Sequence, residues 1–336
     1  MPAPEQLTFS PGLTRIAVEY SNKAFIADMV LPPMPHSAKS GKYKSYSQYD
    51  EFAIEGGLIG PTSQADEMDF DVSETAFAMD DFGIVGYVSQ QAIDNADAPI
   101  NPQQAMTKKV TRKVLRIRER RVALAVLNAN NYATANKLDV AGAWATLTTD
   151  VWGQFLTALD ACASPPNVLV LDIATFRKVQ QNDTILAAIK GTLAPQFIEQ
   201  AVGPAKTGVA AKTGAPRIPD AVFCPALAQA LGIDRVLIGA AWYATSKKGQ
   251  ALTKGRIWDL PTATKGGAAF LRVAQDEVED VVWGMQMMWK QPLRVLTWFE
   301  PNRGADGSTA IKVVETTKVV TVANDAGYLF FDTLLT

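Results

Sequence analysis

The 336-residue chain contains one histidine and two cysteines, and that scarcity removes most catalytic chemistry. A Ser-His-Asp triad, a Cys-His dyad or a histidine-rich metal centre would have to use His36, which lies in a proline-rich segment. A surface histidine is the simpler reading. A zinc site needs about four ligands, mainly His and Cys, and His36, Cys162 and Cys224 cannot supply them. Two isolated cysteines make no disulfide framework and read as small buried apolar residues in a reducing compartment. No apolar run approaches the ~18 residues of a membrane span. The opening MPAPEQLTFSPG has neither the basic nor the apolar part of a signal peptide. GxGxxG and GxSxG do not occur. Residues 203–214 fail the phosphate-loop pattern, because Val209 follows Gly208 where Lys is required. Asp81-Phe82-Gly83 matches the kinase metal tripeptide but stands without a Gly-rich loop or a His-Arg-Asp, and reads as a turn. No catalytic, cofactor-binding or metal-binding residue is assigned, and the chain is not read as an enzyme.

Basic residues are missing from one long stretch as well. Between Ser45 and Thr107 there is no Lys or Arg, while Asp and Glu recur throughout. The cations come immediately afterwards, in PQQAMTKKVTRKVLRIRERRVALAVLNANN, residues 102–131. Asn101 suits an N-cap and Pro102 the first helical position. No Gly or Pro breaks the run from Gln103 to Asn131, so one helix of roughly 45 Å is expected. Lys108, Lys109, Arg112, Lys113, Arg116, Arg118, Arg120 and Arg121 face a single acid, Glu119. Lys108, Arg112, Arg116 and Arg120 recur every fourth residue and form a ridge, and like charges at that spacing oppose an isolated helix by roughly 0.2–0.5 kcal/mol per pair. Something acidic should lie on the ridge. The net charge of −2 argues against a general polyanion binder, so the internal asymmetry points to self-association before nucleic acid.

In chain order, residues 1–42 read as an extended arm with NKAFIADMVLP as its apolar anchor. Residues 43–80 read as a long hairpin with a Gly-rich tip at 56–61, where Met68, Phe70 and Val72 alternate with Glu67, Asp69 and Asp71. Phe82–Val88 reads as a buried strand. The basic helix has an apolar stripe of Met106, Val110, Val114 and Ile117, and its end, Val122–Leu127, is apolar all round, as if sunk in a core. Residues 132–147 look like a linker. A helix capped by Thr149 or Asp150 comes next and stops at Pro165-Pro166. Then come a strand at 168–171, a helix over 172–190 ended by Gly191, and a loop at 203–219. AVFC, RVLIG and RIWD read as short strands. From Ala269 onward the pattern is β: 270–274, 281–290, 293–300, 311–317, 319–323 and 328–332. Asp276, Glu277, Glu279 and Asp280 form an acidic cluster that suits a solvated face or a basic partner better than a hard cation.

This order of elements resembles the major capsid proteins of tailed bacteriophages, the Hong Kong 97-like shell fold. NVLVLDIATFRKVQQNDTILAAIKG is similar to the axial-domain strand and helix of that family. VLIGAAWYATSKKGQ with RIWD, PLRVLTWFEPNRGADG and the terminal DAGYLFF are similar to its later strands. The resemblance implies an α+β fold: an N-terminal arm (1–42), an extended β-hairpin loop (43–80), the first part of a β-rich peripheral domain carrying the long spine helix (81–144, helix 102–131), an inserted α/β axial domain (145–270) and the second peripheral part (271–336). It implies pentamers and hexamers closing into an icosahedral head shell around double-stranded DNA, held without sequence specificity. It further implies a virion component assembled in the host bacterial cytoplasm, with portal and decoration proteins as candidate partners, no cofactor and no membrane. No scaffolding segment is evident before the arm, so a separate scaffold protein is expected. Encapsulin nanocompartments share the fold and are the alternative; a carboxylate-based α/β enzyme is the remaining one. The inter-subunit residues expected on this reading are Lys108, Arg112, Arg116 and Arg120, receiving Asp66, Glu67, Asp69 and Asp71 from a neighbour's hairpin.

Overall fold

The computed structural model describes residues 8–19, 25–46, 72–96, 101–189, 219–259, 265–273 and 281–334. Their order is β1 (Thr8–Phe9), α1 (Pro11–Glu19), α2 (Ala27–Val30), β2 (Pro33–His36), β3 (Ser40–Tyr46), β4 (Val72–Ala78), β5 (Asp80–Ser89), α3 (Gln90–Asp94) and α4 (Pro102–Val126). The middle holds β6 (Lys137–Asp139), α5 (Val151–Ala161), β7 (Val168–Asp172), α6 (Ile173–Val179), α7 (Asp183–Ile189), α8 (Asp220–Leu231), β8 (Arg235–Gly239), β9 (Trp242–Ala244) and β10 (Lys254–Arg256). The chain closes with β11 (Lys265–Leu271), β12 (Gly284–Trp289), β13 (Arg294–Glu300), β14 (Ser308–Thr321) and β15 (Gly327–Leu334).

Two sheets carry the molecule. One has the order β1-β13-β14-β12-β2, with β5 also paired to β14; the other is β6-β15-β11-β7-β8. The five-stranded sheet is buried on both faces, as period-2 alternation in β11 shows. Ala268 and Phe270 join Trp144, Phe155, Phe176, Phe223 and Phe330 in one cluster with α5 to α8. Ala269 and Leu271 face Val122, Val126, Trp258 and Trp283 in another. The first half of α4 lies on the six-stranded sheet, where Val110 and Val114 meet Val295, Ile311 and Val313. The long helix therefore ties the two sheets together.

Several sequence expectations are corrected. The long helix ends at Val126, not Asn131, because side chains just beyond it cap its last turn: Tyr132 Oη donates to Val126 O at 2.7 Å and Asn131 Nδ2 to Ala125 O at 2.8 Å. Its apolar end is sunk in the core through Val122, Ala123, Val126 and Leu127 but not on every side, since Leu124 is 41% exposed. The 172–190 helix is two, α6 and α7. Asn182 starts the second by accepting from the backbone of Thr184 and Ile185, with Asp172 capping the first. AVFC lies in helix α8, where a short apolar run spaced for a buried helix mimics a strand. RIWD contributes only Arg256 to β10, and 311–317 and 319–321 lie in the single strand β14, which ends at Thr321. Within Phe82–Val88 only Val88 is buried, Gly83 is exposed and the rest are half-exposed; among the described residues β5 pairs with β14 alone. Asp81-Phe82-Gly83 is strand, not turn. The arm is not simply extended, since it contains the helices α1 and α2. The supposed linker 132–147 buries Tyr132, Val140 and Trp144. The hairpin's two sides, β3 and β4, pair antiparallel from Ser40↔Ala78 to Tyr46↔Val72. Its Gly-rich tip, the 203–218 loop and the 276–280 cluster lie outside the described residues.

Candidate assembly surface

Helix α4 splits its charges between two faces. Asn101 caps it, its side chain accepting from Gln104 N at 3.1 Å. On the inward face, the apolar stripe presses so close to β5 that a Cβ on Gly86 would stand 2.7 Å from Val110 Cγ2 and 2.8 Å from Met106 Sδ. Two of the arginines also point inward. Arg118 donates to Glu315 Oε2 from Nε at 2.8 Å and from Nη2 at 2.6 Å, and its Nη1 reaches both Asp28 oxygens at 3.1 Å. Arg121 pairs with the other Glu315 oxygen, bonds Thr317 Oγ1 at 2.8 Å and stacks over Phe82. Burial pushes the Glu315 carboxyl up, and the two guanidiniums oppose that. Glu119 is fully buried too. It accepts from Ile26 N (3.0 Å), Ala27 N (2.9 Å) and Trp258 Nε1 (2.6 Å), so it holds the N-terminal segment on the helix rather than balancing the surface cations. Burial raises its carboxyl above the usual range.

The expected ridge faces outward. Lys108, Arg112 and Arg120 are exposed and Arg116 is half-buried. Beside it runs a groove. One part, about 450 Å³, lies between Ile84–Gly86 of β5 and Lys109, Arg112, Lys113 and Arg116. It continues past Arg116 and Arg120 to Tyr243, a further 260 Å³. The Arg120 guanidinium sits over the Tyr243 ring, 4.5 Å from its centroid. The Arg116 Nε is buried and has no hydrogen-bond partner among the described residues, so the groove keeps an unused donor. The structure thus brings Arg112, Arg116 and Arg120 to the groove, while Lys108 is exposed on the same helix but does not line it. Asp66, Glu67, Asp69 and Asp71, their expected partners, lie outside the described residues. Sequence reasoning missed the division of labour on α4. Its signal was present: Arg118 and Arg121 are three apart and off the four-residue ridge.

Among the described residues no group of three or more His, Cys, Asp and Glu could hold a metal, and no helix is long and apolar enough to cross a membrane. His36 packs edge-on against Phe77, 5.2 Å between ring centroids.

No family model matches the sequence. The chain is 27% identical to the major capsid protein of Pseudomonas phage JBD67 over 331 residues, 95% of each chain. The crystal structure of a phage-related protein from Bordetella bronchiseptica RB50 superposes with a TM-score of 0.70 at 16% identity, covering 98% of both chains. The capsid structure of cyanophage P-SCSP1u does so with 0.54 at 10% identity, covering 93% of this chain and 89% of that one. Along nearly its whole length the chain is thus similar to a phage major capsid protein, and its fold is the one seen in phage capsid structures. In that setting, the mixed α+β capsid fold places a basic groove along the one long helix.

Proposed function

We propose that the chain is the major capsid protein of a tailed phage, a structural subunit and not an enzyme, many copies of which form pentamers and hexamers closing into an icosahedral shell. The carrying observation is the end-to-end relationship to a phage major capsid protein over 95% of both chains. That also favours a phage head over an encapsulin-like compartment. On this reading residues 1–42, 43–80, 81–144, 145–270 and 271–336 are arm, hairpin loop, first peripheral part, axial domain and second peripheral part. The subunit is a virion component assembled in the host cytoplasm. Its partners are other copies, a separate scaffold, a portal, decoration proteins and packaged double-stranded DNA.

The groove along α4 is the proposed inter-subunit contact. Lys108, Arg112, Arg116 and Arg120 receive Asp66, Glu67, Asp69 and Asp71 of a neighbour's hairpin. What supports this is the exposed ridge, the unused Arg116 donor and the acid-apolar alternation at 67–72, which suits a groove with cations on one wall and Ile84 on the other. Each exposed pair is worth about 0–1 kcal/mol, so repetition over many contacts sets register and salt sensitivity. Electron microscopy and size exclusion of the purified chain should show megadalton particles or capsomers; a small oligomer at all concentrations would sink the shell reading. Arg112→Glu with Arg116→Glu should block assembly at low salt, and Asp69→Lys with Asp71→Lys should restore it. Normal assembly of the first variant would remove the pairing.

A further inference from the structure

A second charged site lies on the opposite face of the six-stranded sheet. Glu315 and Thr317 of β14 bond to α4, so Thr316 between them points away from it. There Thr316 Oγ1 accepts from Arg294 Nη2 at 2.9 Å and bonds Asp81. Arg294 in turn lies 4.8 Å from the ring centroid of Trp289. Two more cations crowd that ring, Lys290 Nζ at 4.7 Å and Lys39 Nζ at 4.8 Å. The indole is fixed by Nε1 donating to Ser37 O at 2.9 Å. Lys290 holds a left-handed backbone, φ 59°, which an L-residue with a side chain rarely adopts.

The cluster is under-neutralised. Asp81 binds Lys39 at 2.8 Å, and that bond with the Thr316 bond holds its carboxyl below the usual range. Among the described residues no carboxylate forms a direct ion pair with Lys290 or Arg294; Arg294 meets the charge of Asp81 only across Thr316, and its Nε is buried without a hydrogen-bond partner. Three cations gathered on one indole with one acid between them leave room for carboxylates.

We infer that the Trp289 cluster is a docking site for the acidic run Asp276, Glu277, Glu279 and Asp280 of another copy of this chain. This rests on the shell reading, and it gives a use to the one acidic run that the α4 groove leaves unassigned. By chain position the run precedes β12, joined at buried Val273 and Val282, while Trp289 ends that strand, up to seven extended residues and roughly 23 Å beyond Val282. Acid at one end of β12 and cation at the other make a head-to-tail contact, the kind that closes rings. Carboxylates of a second copy are favoured over DNA phosphates because the cations surround an aromatic ring, the composition of protein interfaces, and because the chain itself supplies the complementary run.

The test is a charge swap, read by electron microscopy and by the critical subunit concentration for assembly. Wild type must first give particles; if it gives none, the shell reading fails and this proposal falls with it. Lys290→Glu with Arg294→Glu should raise the critical concentration about tenfold while leaving the melting temperature of the unassembled subunit unchanged. Adding Glu277→Lys and Glu279→Lys should restore assembly. Three results would overturn the proposal: an unchanged critical concentration in the first variant, rescue by Asp69→Lys with Asp71→Lys instead, or normal assembly with loss of packaged DNA, which would assign the site to phosphates. Should the first variant unfold, Lys290→Gln with Arg294→Gln replaces it and must weaken assembly in the same direction.

Discussion

Asp172 shows how a single buried acid couples fold and pH. It ends β7, caps α6 through Ala174 N at 3.1 Å, and meets Arg256 Nε at 3.3 Å. Arg256 also binds Asp259 at 2.6 Å. Burial pushes the Asp172 carboxyl up to about 6, against the opposing pull of Arg256. A folded-state value above that of the unfolded chain, about 4, means that the native state holds the proton more tightly. Its contribution is therefore greatest below pH ~4 and is lost as pH rises through about 6, a difference on the order of 2–3 kcal/mol. Asp172→Asn removes that slope. Calorimetry of the unassembled subunit should show a flatter melting temperature between pH 4 and 7 in the variant than in wild type; parallel curves would place the titrating group elsewhere. Glu119 makes a second residue-scale case. Glu119→Ala orphans the buried donors of Ile26, Ala27 and Trp258, at about 1–3 kcal/mol each. Limited proteolysis should then cut near residue 26 far faster than in wild type. Neither buried pairing was legible in the sequence, because Arg256 lies 84 residues from Asp172 and the partners of Glu119 lie 92 to 139 residues from it, and only folding brings them together.

At the scale of elements, α4 was readable because its start is local chemistry: Asn101, Pro102 and an unbroken run of helix formers. Its end was not, since the groups that stop it are side chains beyond it, Asn131 and Tyr132, folding back on the last carbonyls. AVFC was misassigned for a related reason. Four apolar residues fit either period until the burial of Phe223, Leu227 and Leu231 shows a helical face. The antiparallel sides of the hairpin and most C-terminal strands came through, because alternation and Gly-rich turns are local signals. The docking of α4 on β5 gives an element-scale prediction. Gly86→Ala places a methyl against Val110 and Met106, and overpacking of this kind costs about 1–3 kcal/mol. Thermal melting should fall by several degrees, and Met106→Ala in the same chain should recover part of the loss. An unchanged melting point in Gly86→Ala would mean that helix and strand are not in this close contact.

On the whole molecule, the two kinds of charge contact respond differently to salt. Arg118, Arg121 and Glu315 are enclosed within the subunit, and buried pairs are screened little. Lys108, Arg112 and Arg120 are exposed, as is Lys290 in the Trp289 cluster; contacts made through them lose most of their attraction beyond a Debye length, about 10 Å at 0.1 M and 3 Å at 1 M. Raising salt from 0.05 to 1 M should therefore separate assembled copies while each subunit stays folded. Analytical ultracentrifugation should show particles or capsomers giving way to smaller species, and circular dichroism on the same samples should show a melting midpoint unmoved by more than a few degrees. If dissociation and unfolding occur together, the subunit depends on its neighbours for its core. If salt leaves assembly untouched, the apolar floor of the α4 groove, with Ile84, Met106 and Val110, carries the contact and the basic ridge serves only to steer encounter.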